Sequence, residues 1–474
     1  MKKDMTQGNI YLSLLFFTLP VLCSNLLQQL YNVLDSIIVG RVCGDLALAA
    51  VGAAYQISTI LVTISMGLTI GMSILISRSF GQKELQCQVQ RQADKDTIKS
   101  RTTQGGNETE KEIQIMVDSG MFLVLLAGLV LGGAGVLGTR YLLELFHVPQ
   151  SLMSLTEEYL RVLFLGTIPV FIYNAVTNDL RGIGDSTTAL FFLISSVVMD
   201  LLLDIVFVWM LHWGVMGAAW ATVIAQLLSS IGLVRYVNNR NRIFRVHLVL
   251  LQVDRKIIAE GLQIGIPATL QQLFLGIGNI VIQYLINGFG PVIIAAYAAA
   301  SKIDGFAMLP AVNTGQCISN YIAQNIGAGN QMRVKKGVRA ALVMTTGFSI
   351  VLMLCIHLGA GTFMHLFAVG EEALKQGARF LKIQSSFYIL FSIMHVLNGV
   401  LIGEGRAKMS LAGSILSFCA LQVPVAVILS AVMGVIGIWV AAPIGWFGGM
   451  LLRIVFIRQT YLQRRDGLSN GGRN

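Results

Sequence analysis

The sequence predicts an all-α integral membrane protein with twelve transmembrane helices arranged as two pseudo-symmetric six-helix lobes. Of its 474 residues, 55% are hydrophobic and only 12% are charged, and the mean hydropathy is +0.70. Apolar runs of about 20 residues or more, enough to cross a bilayer as a helix, recur along most of the chain. Lipid offers the backbone no hydrogen-bond partner, so such runs fold as helices or closed barrels. These runs lack the alternating pattern of barrel strands, which leaves helices.

The apolar runs define twelve expected spans. They are residues 10–40, 46–80, 113–137, 155–181, 186–211, 214–236, 257–287, 291–326, 337–361, 380–402, 408–431 and 434–458. Several are longer than the bilayer requires, which indicates tilted or protruding helices. Pro20 and Pro267 lie at matched positions and should kink the first and seventh helices, and Pro310 should bend the eighth.

The second half of the chain repeats the first in the same order. The segments LAAVGAAYQI, ISRSFGQ and LRGIGD, which begin at 48, 76 and 180, return as IAAYAAASKI, IAQNIGA and LIGEGR, which begin at 294, 322 and 401. Two halves with an even number of spans each and the same order form a parallel repeat about an axis along the membrane normal. We therefore expect an N-terminal lobe over residues 1–236 and a C-terminal lobe over 257–474.

Two polar segments interrupt this pattern. Residues 237–256 join the halves and are basic, so we expect an exposed cytoplasmic linker. The first half also carries an insertion at about 86–112, roughly 25 residues longer than its counterpart, polar and poor in aromatic residues. This composition is typical of a disordered or loosely helical segment, and either a regulatory role or a tolerated insertion would account for it.

The distribution of the net charge of +10 reflects membrane topology and does not indicate a nucleic-acid-binding surface. Lysine and arginine collect in alternate connections and at both ends of the chain, which predicts cytoplasmic termini in a bacterial-type inner membrane. The first apolar run belongs to the repeat, so we do not expect it to be a cleaved signal peptide. The six cysteines are scattered, and no pair has metal-ligand or redox spacing.

Four polar residues of the first half are candidates for a cation-coupling site. Asp35 lies well inside the first expected helix, Asp200 and Asp204 lie one turn apart on the fifth, and Thr222 lies in the sixth. A carboxylate in a spanning helix is costly and usually faces a cavity or a partner. Carboxylates and hydroxyls are ligands for a small hard cation such as Na⁺, or partners for a shared proton. The alternative is that an acid marks a helix end near the membrane interface.

The repeat argues against a purely structural role for these groups. The equivalent positions of the second half carry no acid. Asp35 corresponds to Val281 or Ile282, Asp200 and Asp204 correspond to the neighbourhood of 421–425, and Thr222 corresponds to Ala442. If the fold required the acids, both halves should have them. We therefore expect them to serve function.

Further polar residues in the expected spans are candidates for supporting and substrate-binding roles. Asn174 and Asn178, one turn apart in the fourth helix, are expected to support the carboxylates. Candidates for a substrate cavity are Gln29, Asn32, Tyr55, Gln271, Gln272, Lys302 and Asp304. Amides that only bridge neighbouring helices are the alternative for the glutamines.

The sequence contains no motif of an enzyme or an ATP-driven pump. It has no nucleotide-binding P-loop, no HExxH and no GxSxG elbow, and its six histidines are dispersed. We therefore expect neither catalysis nor a cofactor, and any uphill transport would use an ion gradient.

Several segments together resemble one family, the multidrug and toxic compound extrusion (MATE) transporters. They are residues 19–41, the motifs LAAVGAA, LRGIGDS and GVMGAAWATVIAQ, and the second-half echoes GIPATLQQ and IAQNIGAGN. The resemblance implies a two-lobe antiporter that exports organic cations against a Na⁺ or H⁺ gradient. It implies a cation site at Asp35, Asp204 and Thr222; the family's asparagine of that site is here Asp200.

The resemblance also limits where coupling takes place. Some members carry acids on helices 7 and 10, whereas the corresponding stretches here read ATLQQLFLG and FSIMHVLNG, so we expect the first-half site to act alone. A lipid or lipid-linked oligosaccharide flippase of related fold is the alternative function, and a channel or receptor-like protein is a further one. The sequence leaves the substrate and the choice between Na⁺ and H⁺ open, and we expect a monomer.

Overall fold

The computed structural model describes residues 5–93, 103–241, 243–367 and 370–470, and in these ranges every regular element is a helix. In the first half the elements are α1 Ile10–Cys43, α2 Asp45–Ala93, α3 Thr103–Leu145, α4 Gln150–Leu165, α5 Thr167–Gly182, α6 Ser186–Asp204, a π-helical segment Ile205–Met210, and α7 Gly214–Arg240. In the second they are α8 Arg255–Asn287, α9 Pro291–Gly327, α10 Gln331–His365, α11 Glu371–Ser385, α12 Tyr388–Gly403, α13 Ala407–Ser414, a π-helical segment Ile415–Gln422, α14 Val423–Met433, and α15 Val435–Asn470.

The twelve expected spans are confirmed, with two of them bent. In the described ranges, ten helical stretches are long and apolar enough to cross a membrane, and two bent helix pairs bring the total to twelve. The pairs are α4 with α5, at an angle of 50°, and α11 with α12, at 51°. The expected continuous spans 155–181 and 380–402 are therefore each broken, at Gly166 and at Ser386–Phe387.

The repeat is visible in backbone detail. Each half breaks its fourth span by nearly the same angle, and each inserts a π-helical segment into the next span, at Ile205–Met210 and at Ile415–Gln422. A π-helical segment interrupts the regular hydrogen-bond ladder and is often found at functional sites. Both halves therefore retain the same two irregularities.

A close helix crossing is also duplicated. A Cβ atom on Gly182 of α5 would lie 3.0 Å from the carbonyl oxygen of Ser73 in α2. The equivalent Cβ on Gly403 of α12 would lie 2.5 Å from the carbonyl oxygen of Ser319 in α9. Small residues at such crossings let membrane helices approach closely, because packing rather than hydrophobic burial drives their association.

The chain forms two compact units. The first comprises Met1–Thr6, Leu19–Thr269 and Gln324–Gly329, and the second comprises Gln7–Thr18, Leu270–Ala323 and Asn330–Asn474. The first unit has two apolar clusters, one around Phe171 and Val176 and one around Leu160 and Val208. The second has a cluster around Trp439 and Leu381. The lobe boundaries drawn from the sequence remain a prediction.

The linker between the halves is more buried than its composition suggests. Ile243, Phe244 and Val246 are buried in a core cluster of the first unit. Asn238 of α7 holds the backbone of Val246 with two bonds, of 2.7 and 3.0 Å. Arg245, between Phe244 and Val246, is exposed, so the basic side chain reaches solvent while its apolar neighbours lie in the core. The expectation of a fully exposed linker was wrong for these residues.

The flanks of the polar insertion extend α2 and α3. Lys83 Nζ lies 2.6 Å from Glu110 Oε1, and Thr109 donates to Gln86 over 2.9 Å. These cross-links hold the two helices together beyond their apolar parts. Residues 94–102 of the insertion lie outside the described residues.

Replacing Gly403 by alanine should destabilise the folded protein, because the new methyl group would clash with the carbonyl oxygen of Ser319. We expect a loss of about 1–3 kcal/mol, typical of overpacking. Gly347→Ala is the control, since a Cβ there meets nothing within 4 Å. Melting temperatures of the purified variants in detergent test this, and equal values for both would contradict the tight crossing.

Candidate functional site

Three helices of the first unit bring the predicted coupling residues together. Asp35 is buried in α1, and Asp200 and Asp204 are buried on one face at the end of α6, where Asp204 is 0% exposed. The Asp35 and Asp204 carboxyl groups form a facing pair, close enough to interact electrostatically. Asp200 lies close enough to the Thr222 hydroxyl of α7 to interact with it. Residues far apart in sequence thus form one polar cluster.

Two tyrosines complete the cluster, and sequence reasoning missed both. The Tyr31 hydroxyl lies 3.4 Å from Thr222 Oγ1 and close enough to Asp200 to interact with its carboxyl group. Tyr159 of α4 is buried close enough to interact electrostatically with the three carboxyl groups. Tyr31 was detectable, since it precedes Asp35 by four residues and shares its helix face. Tyr159 carried no such signal, because only tertiary packing places it here.

The carboxyl groups are poorly satisfied by the protein. Asp35 Oδ1, Asp200 Oδ1 and both oxygens of Asp204 are buried with no hydrogen-bond partner among the described residues. None of the three acids forms an ion pair with a described lysine, arginine or histidine. Burying carboxylates without compensation costs several kcal/mol or more. The cluster can lower this cost by taking up a cation or sharing a proton.

The carboxyl and hydroxyl oxygens of the cluster are suitable ligands for a small hard cation, but they do not form a compact metal centre. Within the described part of the chain, no group of three or more His, Cys, Asp or Glu side chains has the arrangement of a metal site. The acids instead form one facing pair, Asp35 with Asp204, and a third member, Asp200, which interacts with the nearby hydroxyl groups. The arrangement offers both a shared-proton position and oxygen ligands.

The two asparagines expected to support the site bind a neighbouring helix. Asn174 donates to Ser65 Oγ over 3.1 Å, and Asn178 donates to Thr69 Oγ1 over 2.7 Å. Both acceptors lie on α2, so the amides connect α5 to α2. Their side-chain nitrogens are used in that connection.

The substrate-cavity candidates differ in exposure. In the first unit, Gln29 and Tyr55 are exposed, Tyr55 to 53%, and Asn32 is half-buried. In the second unit, Gln272 and Lys302 are exposed. Gln271 is buried and accepts from Ser410 over 2.8 Å, as a helix-bridging amide would.

Asp304 of α9 has a specific partner in the second unit. Its Oδ1 accepts a hydrogen bond of 2.6 Å from the hydroxyl of Tyr388, the first residue of α12. Asp304 is half-buried, and no described basic residue forms an ion pair with it. Asp304 is therefore a carboxylate of the second unit that could bind a cation.

The second unit also buries a cation, Arg453 of α15, at 1% exposure. Its guanidinium donates to Ser414 Oγ over 2.7 Å, to the Gly449 carbonyl over 3.1 Å and to Asn398 Oδ1 over 3.3 Å. All three acceptors are neutral. Sequence reasoning missed this residue, although a basic residue within the expected span 434–458 was a usable signal.

Comparison with known proteins agrees with this architecture. The family model described as MatE matches residues 20–91, 102–206 and 267–428. "Probable multidrug resistance protein YoeA" of Bacillus subtilis (strain 168) is 27% identical over 456 residues, covering 94% of this chain and 93% of that protein. "Multidrug export protein MepA" of Staphylococcus haemolyticus (strain JCSC1435) is 21% identical over 434 residues, covering 91% and 90%.

Solved structures show the same fold. A crystal structure of MATE in the bent conformation superimposes with a TM-score of 0.86 at 20% identity, covering 98% of both chains. The twelve spans and this likeness define a multi-pass membrane protein of transporter architecture. The family match covers most of the chain, and the chain belongs to the multidrug and toxic compound extrusion family of membrane transporters.

We expect transport to depend more on Asp204, a member of the facing pair, than on Asp200. Asp204→Asn removes one carboxylate of the pair, and we expect cation-driven transport to fall at least tenfold, or about 1.4 kcal/mol. Asp200→Asn restores the asparagine that the resemblance implies and should retain transport. Efflux of ethidium from energised cells expressing equal amounts of each variant tests the difference. An equal loss in both variants would contradict it.

Proposed function

We propose that the protein is an antiporter that exports organic cations by alternating access, driven by Na⁺ or H⁺ entering at the cluster of Asp35, Asp200, Asp204 and Thr222. The observation that carries the proposal is the set of buried carboxyl oxygens without a donor. Such a cluster is stable when loaded with a cation or a proton and strained when empty. That difference is what a coupling site requires.

The mechanism follows from how loading changes the cost of the site. A bound cation or a shared proton offsets the negative charge between α1 and α6, so the loaded site tolerates closure away from water. An organic cation that enters the protein competes with the bound cation or proton, because it too is attracted by the negative charge of the site. A ligand shifts a conformational equilibrium only by its differential affinity for the two states, so the two cations must favour opposite ones. Exchange of one for the other then drives transport.

The relatives support the class of substrate. The names of YoeA and MepA describe multidrug resistance and multidrug export. In the second unit, the Asp304 carboxylate provides a negative charge that an organic cation can bind. We propose broad organic-cation export by a monomer in a bacterial inner membrane with both termini cytoplasmic and with no bound cofactor.

The coupling proposal is tested with inverted vesicles, an imposed pH or Na⁺ gradient, and uptake of a fluorescent organic cation. We expect one gradient to drive uptake in the wild type and Asp35→Asn to abolish it, because the facing pair loses its α1 member. Asp45→Asn, an exposed acid in the first turn of α2, is the control and should transport normally.

Two results would overturn the coupling proposal. Full gradient-driven uptake in Asp35→Asn would remove the site from the mechanism. A wild type that carries several organic cations under neither gradient would favour the lipid-flippase alternative, which the same vesicles can assay with a labelled lipid.

The substrate role of Asp304 is tested separately. Asp304→Asn should weaken the apparent affinity for an organic cation about tenfold, equal to 1.4 kcal/mol, while the coupling ion stays the same. Tyr388→Phe removes only the hydroxyl that orients the carboxylate and should have a smaller effect. Dependence of initial uptake rate on substrate concentration separates KM from the maximal rate, and unchanged KM in Asp304→Asn would exclude the residue from the binding site.

A further inference from the structure

One helix of the second unit carries three cations that neither topology nor transport explains. Lys375, Arg379 and Lys382 lie four and three residues apart on α11 and share one helix face. The opposite face, which includes Gly377, Phe380 and Leu381, is buried. All three basic side chains are exposed. α11 is therefore an amphipathic helix with a basic outer face inside a broken membrane span.

The location of these cations runs against the usual distribution of charge. With cytoplasmic termini, α11 starts on the external side, since it follows α10 after an odd number of complete spans. Basic residues collect on the cytoplasmic side when they serve only to orient the chain. The basic face of α11 therefore calls for another role.

The three cations have no anionic partner in the described part of the chain. None forms an ion pair with a described acid. The helix's own acids, Glu371 and Glu372, lie in its first turn, and Glu372 accepts from Gln376 instead. Arg379 and Lys382 lie two and three turns further along. Their charges are therefore available to an anionic ligand from outside the protein.

A cavity of about 720 Å³ adjoins this face. It lies between α10, α11 and α15, and its polar part combines the three cations with His357 of α10 and Ser386. Its apolar wall is formed by Leu374, Ala378, Ile383, Phe387 and Val440. On α10, Leu358 next to His357 is 89% exposed and Leu354 is 51% exposed, as expected for side chains in contact with lipid. The cavity thus joins a basic patch to an apolar surface.

The depth of the cavity matches the membrane interface. Lys382 lies about 16 Å along α11 from the helix start, at 1.5 Å per residue. The bent span α11–α12 has a path length of about 50 Å, and although its bend of 51° shortens its reach, it still exceeds a hydrocarbon core of about 30 Å. Lys375 and Arg379, near the outer end of this span, are therefore placed close to the headgroups, and Lys382 can extend its ammonium group toward them.

We propose that this cavity binds an anionic phospholipid of the outer leaflet, with its phosphodiester held by Lys375, Arg379 and Lys382 and an acyl chain lying along the apolar wall. Basic pockets between transmembrane helices are a recurrent means of holding such headgroups. Arg379 offers paired donors for phosphate oxygens, and the lysines add charge. Apolar surface next to basic groups distinguishes a lipid from free phosphate as the fitting ligand.

The test compares the melting temperature of the detergent-purified protein with dioleoylphosphatidylglycerol, with dioleoylphosphatidylcholine and with inorganic phosphate. We expect phosphatidylglycerol alone to raise it, by about 2–4 °C, because a ligand that binds only the folded state stabilises it. The variant with Lys375, Arg379 and Lys382 all changed to glutamine should lose this increment. A variant with Lys336→Gln and Arg339→Gln, exposed cations near the other end of α10, should keep it.

Three outcomes would overturn the proposal: equal shifts with both lipids, the same increment in the triple variant, or an equal shift with inorganic phosphate, which would identify a free-anion site. Should the triple variant fail to fold, Arg379→Gln alone serves. Native mass spectrometry should then show at least about a twofold loss of retained phosphatidylglycerol relative to wild type. Unchanged retention in that single variant would contradict the proposal.

Discussion

Four buried carboxyl oxygens, Asp35 Oδ1, Asp200 Oδ1 and both of Asp204, have no hydrogen-bond partner among the described residues, and this is the constraint on which the first unit depends. Carboxylates held in this way are unfavourable unless charge arrives from outside. Helices α1, α6 and α7 must therefore be held firmly enough to keep the acids together against their own repulsion. The packed apolar clusters of this unit and the crossing at Gly182 provide that rigidity.

The duplicated scaffold separates structure from function. Both halves contain the bent span, the π-helical segment and the glycine crossing, so these features belong to the fold itself. The buried charges differ: besides Asp118 and Asp179 the first unit has the three clustered acids, and besides Glu404 the second has Arg453 with neutral acceptors. A fold that forms without the acids in one half does not need them in the other, which supports assigning the carboxylates to transport.

The sequence predicted the features that depend on local pattern. Hydropathy located all twelve spans, since each needs only an apolar run of sufficient length. It did not locate the breaks, because Gly166 and Ser386–Phe387 resemble many other positions, whereas helices α1, α8 and α9 continue through Pro20, Pro267 and Pro310. Neighbouring helices can satisfy the backbone groups that a proline frees. Tyr159 and Tyr388 joined their acids through tertiary contacts that no local spacing encodes.

Burial separates the charged groups of this protein into two kinds, the buried acids of α1 and α6 and the exposed basic side chains of α11. The carboxyl groups of α1 and α6 are buried, so in the proposed mechanism a mobile cation supplies their compensating charge, and the occupancy of the site becomes a thermodynamic variable. The basic side chains of α11 lie at the surface, where long stems let the charged ends reach the headgroups at little cost. A permanent counterion is then available from the membrane itself. Buried acids without donors are suited to exchange, and exposed bases beside apolar surface are suited to anchorage.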